Sequence, residues 1–460
     1  MKSLEERQLS AKDYFVVSSL LFGLFFGAGN LIFPLHLGQL AGGHWLTAAL
    51  GFLVTAVVLP LLSVLAISVT HSEGVYDIGK PLGPAFALAF MVLIHATIGP
   101  LFGTPRTATI PFSVGVQPLL PNQLTHVGLL IFSALFFGAA YLFSYKQNRI
   151  MASVGKVLNP LFLLLLFFVF FLGFVKPLGT ASAQVSTTAY QHASFFNGFL
   201  QGYNTMDALA GLAFGVTVVT AVKGLGVHKS SRVSLVTAKA GVFATGTIGL
   251  IYLGLIVMGA TSLAYFKVSA DGGVVFNQIV THYMGAFGHA VLATLLTVTC
   301  LTTAIGLVAA FAQDFHKHFS KVSYRTWLGL MCAASFLTAN FGLDQIIAWS
   351  TPMLMFLYPF AMVLILLSLT SPLFHRDSVV YFFVVLFTAI PALSDMVVAF
   401  PAVVSQSTFG KGVARLQQYL PFANMGMDWV VPALVGLALG LTVHFVRAAA
   451  AQRSESMEQN

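Results

Sequence analysis

Charge is what this sequence has least of. Asp, Glu, Lys and Arg make up 8% of its 460 residues, against 57% hydrophobic ones, and the mean hydropathy is +0.88. A water-soluble domain carries about 25% charged residues, so water is excluded as the main solvent. From Tyr14 to Thr70 there is no Asp, Glu, Lys or Arg at all. That run is too long for one membrane helix and fits two, hinged near Gly42-Gly43. Cysteine is almost missing too: Cys300 and Cys332 both lie in apolar segments, which reads as small packing residues and not as a disulfide or metal pair. The net charge of +8 has an ordinary source in a membrane chain, basic loops on one side, so no nucleic-acid partner is expected.

Several chemical motifs are also missing. Gly224-Leu225-Gly226-Val227-His228-Lys229-Ser230 lacks the second glycine of a phosphate-binding loop, so ATP is not expected to act directly on this chain. No Cys or His cluster has transition-metal spacing, since His316-x-His318 is short and interfacial. There is no Gly-x-Ser-x-Gly elbow, and the intramembrane ionisable residues are scattered, which argues against an enzyme. No ring of polar residues recurs as a channel lining would need.

What is present is Phe, 43 residues, and Gly, 41. At ~20 residues per span the chain has room for about twelve helices, giving an all-α polytopic membrane protein. The hydrophobic runs place spans near 14–41, 45–70, 82–103, 124–145, 150–174, 195–222, 235–263, 285–313, 325–341, 343–370, 379–400 and 428–447. Asp271 to Tyr283 and Pro401 to Gly426 each suit a short external helix. The charged stretch before Tyr14 and the length of the first apolar run do not match a cleavable signal. With both termini cytoplasmic, seventeen of the 22 basic residues, from Lys2 and Arg7 to Arg447 and Arg453, fall inside. Arg106, Lys176, Lys267, Lys411 and Arg415 fall outside, as the positive-inside bias demands. No linker divides the chain, so residues 1–460 form one transport-type membrane domain.

Two spans are interrupted by polar and small residues. The first breaks at Gly27-Ala28-Gly29-Asn30 and the sixth at Gly202-Tyr203-Asn204-Thr205-Met206-Asp207. Broken helices five spans apart run in opposite directions, the pattern of an inverted repeat: 14–174 against 195–370, with 379–447 as two additional helices and a binding site at the two breaks. A backbone that leaves helical geometry in hydrocarbon needs partners for its free N–H and C=O groups, and a bound substrate and cation would be such partners. The half-helix after the first break would aim its positive end at a carboxylate. Close packing through small residues is the other use of such glycines.

Asp207 lies near the bilayer midplane, where an acid costs ~2.5–3.5 kcal/mol even on the lenient insertion scale. It faces a substrate ammonium, a coupling ion or an internal lysine, or else it forms a structural salt bridge or bonds the free amides at the helix break. Thr299, Thr302 and Thr303 in the eighth span offer hard oxygens to an alkali cation, or bond their own helix backbone. Lys156, just before Asn159-Pro160, either snorkels to the interface or supplies a charge that stands in for a bound cation, which would suit proton coupling. His95 and His36 are either hydrogen-bonded structural residues or proton relays.

Leu24-Phe25-Phe26-Gly27-Ala28-Gly29-Asn30-Leu31-Ile32-Phe33-Pro34, followed by Leu37-Gly38-Gln39, resembles the first span of the branched-chain amino acid:cation symporters. Gly202 through Ala210 resembles that family's sixth-span motif. The resemblance implies import of leucine, isoleucine and valine with sodium as coupling ion, no cofactor, and residence in a bacterial inner (plasma) membrane. A proton-coupled hydrophobic amino acid permease of the same fold is the alternative. The wider likeness is to the LeuT-like fold. Carried over position by position, it assigns Gly27, Ala28 and Gly29 to the substrate carboxylate and Asn30 to the cation beside it. Tyr203, Asn204, Thr205 and Asp207 at the sixth-span break are the other candidates for the substrate, though an acid there is not a general feature of that fold. The carbonyls of Gly23 and Phe26, with Thr299, Thr302 and Thr303, form a second cation site, and proton-coupled relatives place a fifth-span lysine there, which implicates Lys156.

Overall fold

The computed structural model of the protein describes residues 9–27, 29–145, 163–164 and 166–458, and all regular structure among them is helical. Among the described residues, eight helical stretches are long and apolar enough to cross a membrane unaided, nine with the bent pair Asp207–Gly215 and Thr217–Gly224. The remaining expected spans fall short for visible reasons. The first is split into two halves, the ninth is the 16-residue helix Tyr324–Ala339, and much of the fifth lies outside the described residues. Lys156 and Ala28 also lie outside them.

Both expected helix breaks are present. Helix Ala11–Phe25 opens on a capping box, in which Ser10 Oγ accepts from the Asp13 amide and the Asp13 carboxylate accepts from the Ser10 amide. It ends at Phe26, whose backbone is extended (φ −78°, ψ 94°), and a second helix runs Gly29–Ala41. In the sixth span, helix Thr188–Gly202 runs into the short turn Tyr203–Thr205. Met206 then turns left-handed (φ 61°), and Asp207 starts helix Asp207–Gly224. The hinge at Gly42-Gly43 is a short turn with Gly42 at φ 47°, followed by the second span from Trp45.

The third span corrects the reading of its own end. The hydrophobic run predicts a span over 82–103. The chain instead kinks at Gly99, makes a π-turn over Thr97–Leu101, and continues as helix Gly103–Pro111. Arg106, expected in an outer loop, is therefore inside the bundle and 3% exposed. Thr104, Thr107 and Thr109 are buried with it. A single long helix, Gly272–His318, breaks at Gly285 (φ 64°), which separates the short helix expected over 271–283 from the eighth span. Asp271 caps its start through the Gly273 and Val274 amides. The segment after Pro401 holds the helix Thr408–Gln417. Asp377 caps the eleventh span; the Val379 amide and His444 hold its carboxyl below the usual carboxylate range.

Glycine sets how closely the spans approach. A Cβ on Gly38 would stand 2.0 Å from the Ile256 carbonyl oxygen, and one on Gly259 would stand 2.0 Å from that of Leu35. The second half of the first span and helix Ser230–Ser262 thus touch backbone to backbone, as small-residue contacts in membrane bundles do. Gly51 and Gly198 do the same for the second and sixth spans. Cys300 and Cys332 are both free and buried.

Candidate functional site

The two breaks meet. Asn30, one residue into the second half of the first span, donates from Nδ2 to Asp207 Oδ2 at 2.6 Å and to the Tyr252 hydroxyl. Tyr252, from helix Ser230–Ser262, donates in turn to Asp207 Oδ2 at 3.0 Å. Asn30 Oδ1 accepts from the Gly27 amide at 3.0 Å, so this one side chain satisfies the first break and the acid of the sixth. Thr205 Oγ1 accepts from the Asp207 amide at 3.4 Å. Asp207 is 3% exposed, and among the described residues no Lys or Arg pairs with it. Its partners among the described residues are neutral hydrogen-bond donors, and the structural ion pair considered for it is not formed among them; Lys156 lies outside the described residues.

A cavity of about 90 Å³ lies between the breaks. Of the residues singled out from sequence, Gly23, Gly27, Gly29, Asn30, Asn204, Thr205, Asp207 and Thr303 line it. Tyr203 does not; its ring stacks on Tyr358 with centroids 4.1 Å apart and both rings buried. Phe26 is buried and stacks on Phe22. A Cβ on Gly27 would lie 3.4 Å from Thr303 Cγ2, which fixes the first break against the eighth span. There, Thr302 Oγ1 and Thr303 Oγ1 donate to the Thr299 carbonyl at 2.7 and 3.3 Å, while Thr299 Oγ1 is buried with no hydrogen-bond partner.

Arg106, Tyr252 and Ser350 belong to this region and were not singled out from sequence as site residues. Arg106 lines the cavity, donates from Nη1 to the Asn204 carbonyl at 2.9 Å and from Nη2 to Ser350 Oγ, and sits 5.1 Å from the centre of the Phe33 ring. One basic residue amid an otherwise uncharged stretch from 81 to 145 was the available signal. The two histidines are both bonded: His95 Nε2 to Asp314 at 2.7 Å and His36 Nε2 to the Ser269 carbonyl at 3.1 Å.

A larger cavity of about 630 Å³ lies at the end of the bundle bearing His71, Glu73, Lys223 and Lys317. The two cavities share the helix Asp207–Gly224, with Ala210 and Phe214 on the small one and Ala213 and Thr217 on the large one.

This geometry has counterparts. The backbone is similar to the solved structure of MhsT in complex with L-phenylalanine (TM-score 0.54, 15% identity, 96% of this chain and 99% of that one). It is also similar to the nucleobase–cation symporter Mhp1 with bromovinylhydantoin bound (TM-score 0.57, 12% identity, 95% and 93%). The fold is therefore LeuT-like, with the first and sixth helices broken. By sequence, the chain is 40% identical to the branched-chain amino acid permease BrnQ of Lactobacillus delbrueckii subsp. lactis, over 94% of this chain and 97% of that one. It is 37% identical to the permease BraB of Bacillus subtilis, over 95% and 96%. It is 35% identical to BrnQ of Escherichia coli K12, over 94% and 96%. The family described as branched-chain amino acid transport protein matches residues 10–447. With relatives named as permeases along its whole matched length, this chain is a membrane transporter of the branched-chain amino acid transport protein family.

Proposed function

We propose that the protein is a secondary symporter that imports leucine, isoleucine and valine into a bacterium across its inner membrane, driven by sodium. The observation that carries the reading is the meeting of the two helix breaks, through Asn30 and Asp207, on one cavity in a chain of this family. A helix start at Gly29 and a buried carboxylate on Asp207 offer opposite polarities to the two ends of an amino acid. The charge pattern of the loops supports cytoplasmic termini, and with that orientation the large cavity with Lys223 and Lys317 faces inward.

Sodium is favoured over protons by the hydroxyls around the first break. Thr303 borders Gly27, and Thr299 Oγ1 is a buried oxygen with no hydrogen-bond partner among the described residues. In proteoliposomes, labelled leucine should accumulate under an inward sodium gradient, and Thr303→Ala should raise the sodium concentration for half-maximal uptake severalfold. Uptake driven equally by a pH gradient without sodium would assign coupling to protons instead, with Lys156 as the residue to test.

A further inference from the structure

Arg106 is buried at the cavity with a full charge and only neutral partners. Two of its N–H groups go to the Asn204 carbonyl and to Ser350 Oγ; Nε is buried with no partner at all. Among the described residues no carboxylate lies within ion-pair distance of the guanidinium. A lone buried guanidinium at this depth is strongly unfavourable unless an anion arrives. Asp207, the acid on the same cavity, is the mirror case: its carboxyl group is held by neutral donors, and among the described residues no Lys or Arg pairs with it. The guanidinium and the carboxyl group line one small cavity without pairing with each other.

The helix start at Gly29 faces the same place. A Cβ there would lie 3.9 Å from the Asn204 carbonyl oxygen that Arg106 holds, and 3.2 Å from the Phe33 ring over which the guanidinium sits. The two positive features of the site, a guanidinium and a helix N-terminus, therefore converge at Asn204, while the negative one is at Asp207.

We propose that Arg106 binds the α-carboxylate of the transported amino acid, with Asp207 taking the α-ammonium, so that the cavity selects a zwitterion. The assignment rests on the amino acid reading of the site and adds to it the residue that reads the carboxylate. An arginine fork meets a carboxylate with two parallel hydrogen bonds, a geometry that an alcohol or an amide does not match. The bonds to Asn204 and Ser350 tie the guanidinium to the sixth and tenth spans, so it is positioned before the substrate arrives.

The test is competition against labelled leucine on the purified full-length carrier, using leucinol, which lacks the carboxylate, and 4-methylpentanoate, which lacks the ammonium. The wild-type protein should favour leucine over leucinol by about 100-fold, since leucinol loses a charge-assisted pair and sets a cation against Arg106. Arg106→Gln should weaken leucine by about 10- to 100-fold and leave leucinol no weaker, collapsing that preference. Arg106→Lys keeps the charge without the fork and should narrow the preference severalfold, which retains the test if the Gln variant does not fold. Equal losses for leucine and leucinol, or an unchanged preference in a folded variant, would make Arg106 structural and overturn the assignment. A wild-type protein that binds none of leucine, isoleucine and valine would instead overturn the substrate reading on which it rests.

Discussion

Replacing Asp207 with Asn should cut leucine affinity by roughly tenfold or more while leaving the protein folded. A charge-assisted hydrogen bond contributes ~1.5–3 kcal/mol, and the substitution removes the charge while keeping the shape. Folding survives because the Asn carbonyl oxygen still accepts from Asn30 Nδ2 and the Tyr252 hydroxyl. An amide is also cheaper than a carboxylate in the membrane interior. Asp207→Leu should behave differently, since it takes the acceptor from the Tyr252 O–H and from one Asn30 N–H, at about 1–3 kcal/mol for each buried donor left unsatisfied. Leucine binding and thermal unfolding of the two purified variants separate these effects. An Asn variant with unchanged leucine affinity removes Asp207 from the substrate site.

Gly38→Ala and Gly259→Ala should each destabilise the protein far more than one methyl group suggests. The new Cβ would land 2.0 Å from a backbone oxygen of the facing helix, of Ile256 or Leu35, and backbone does not rotate out of the way. The helices must separate instead, and overpacking of this kind costs about 1–3 kcal/mol or more. Function should fall too, because the same two helices carry Asn30 and Tyr252, whose side chains meet at Asp207. The expected result is a lower melting temperature together with weaker leucine binding. Gly246→Ala, which meets nothing within 4 Å, is the control and should have little effect. Equal melting temperatures for all three variants would show that the close approach is not tightly packed.

The breaks were legible in the sequence for a physical reason. Gly27 to Asn30 and Tyr203 to Asp207 are small and polar groups inside long apolar runs, and a membrane tolerates these only where something satisfies them. The separate helices before Gly285 and after Pro401 were legible as weakly apolar stretches between spans. Arg106 was not, because Gly99-Pro100 followed by Gly103-Thr104-Pro105-Arg106-Thr107 reads as a span ending in a polar loop. The third span in fact kinks and continues, and tertiary packing hides the polar turn. Tyr252 was missed because a phenol in an apolar helix carries no local mark of what its hydroxyl will meet. The contacts that join Asn30 to Asp207 and Asn30 to Tyr252 bridge 177 and 222 residues of chain, and no periodicity or spacing encodes them.

The central claim is that the cavity between the breaks carries branched-chain amino acids across the membrane, and counterflow tests it with no assumption about the coupling ion. Proteoliposomes are loaded with unlabelled leucine and diluted into trace labelled leucine, with sodium and pH equal on both sides. The expected result is a transient accumulation of label that isoleucine or valine outside suppresses and that lysine or glutamate does not. Absence of counterflow from folded, reconstituted protein, or suppression by lysine or glutamate but not by isoleucine, would contradict it.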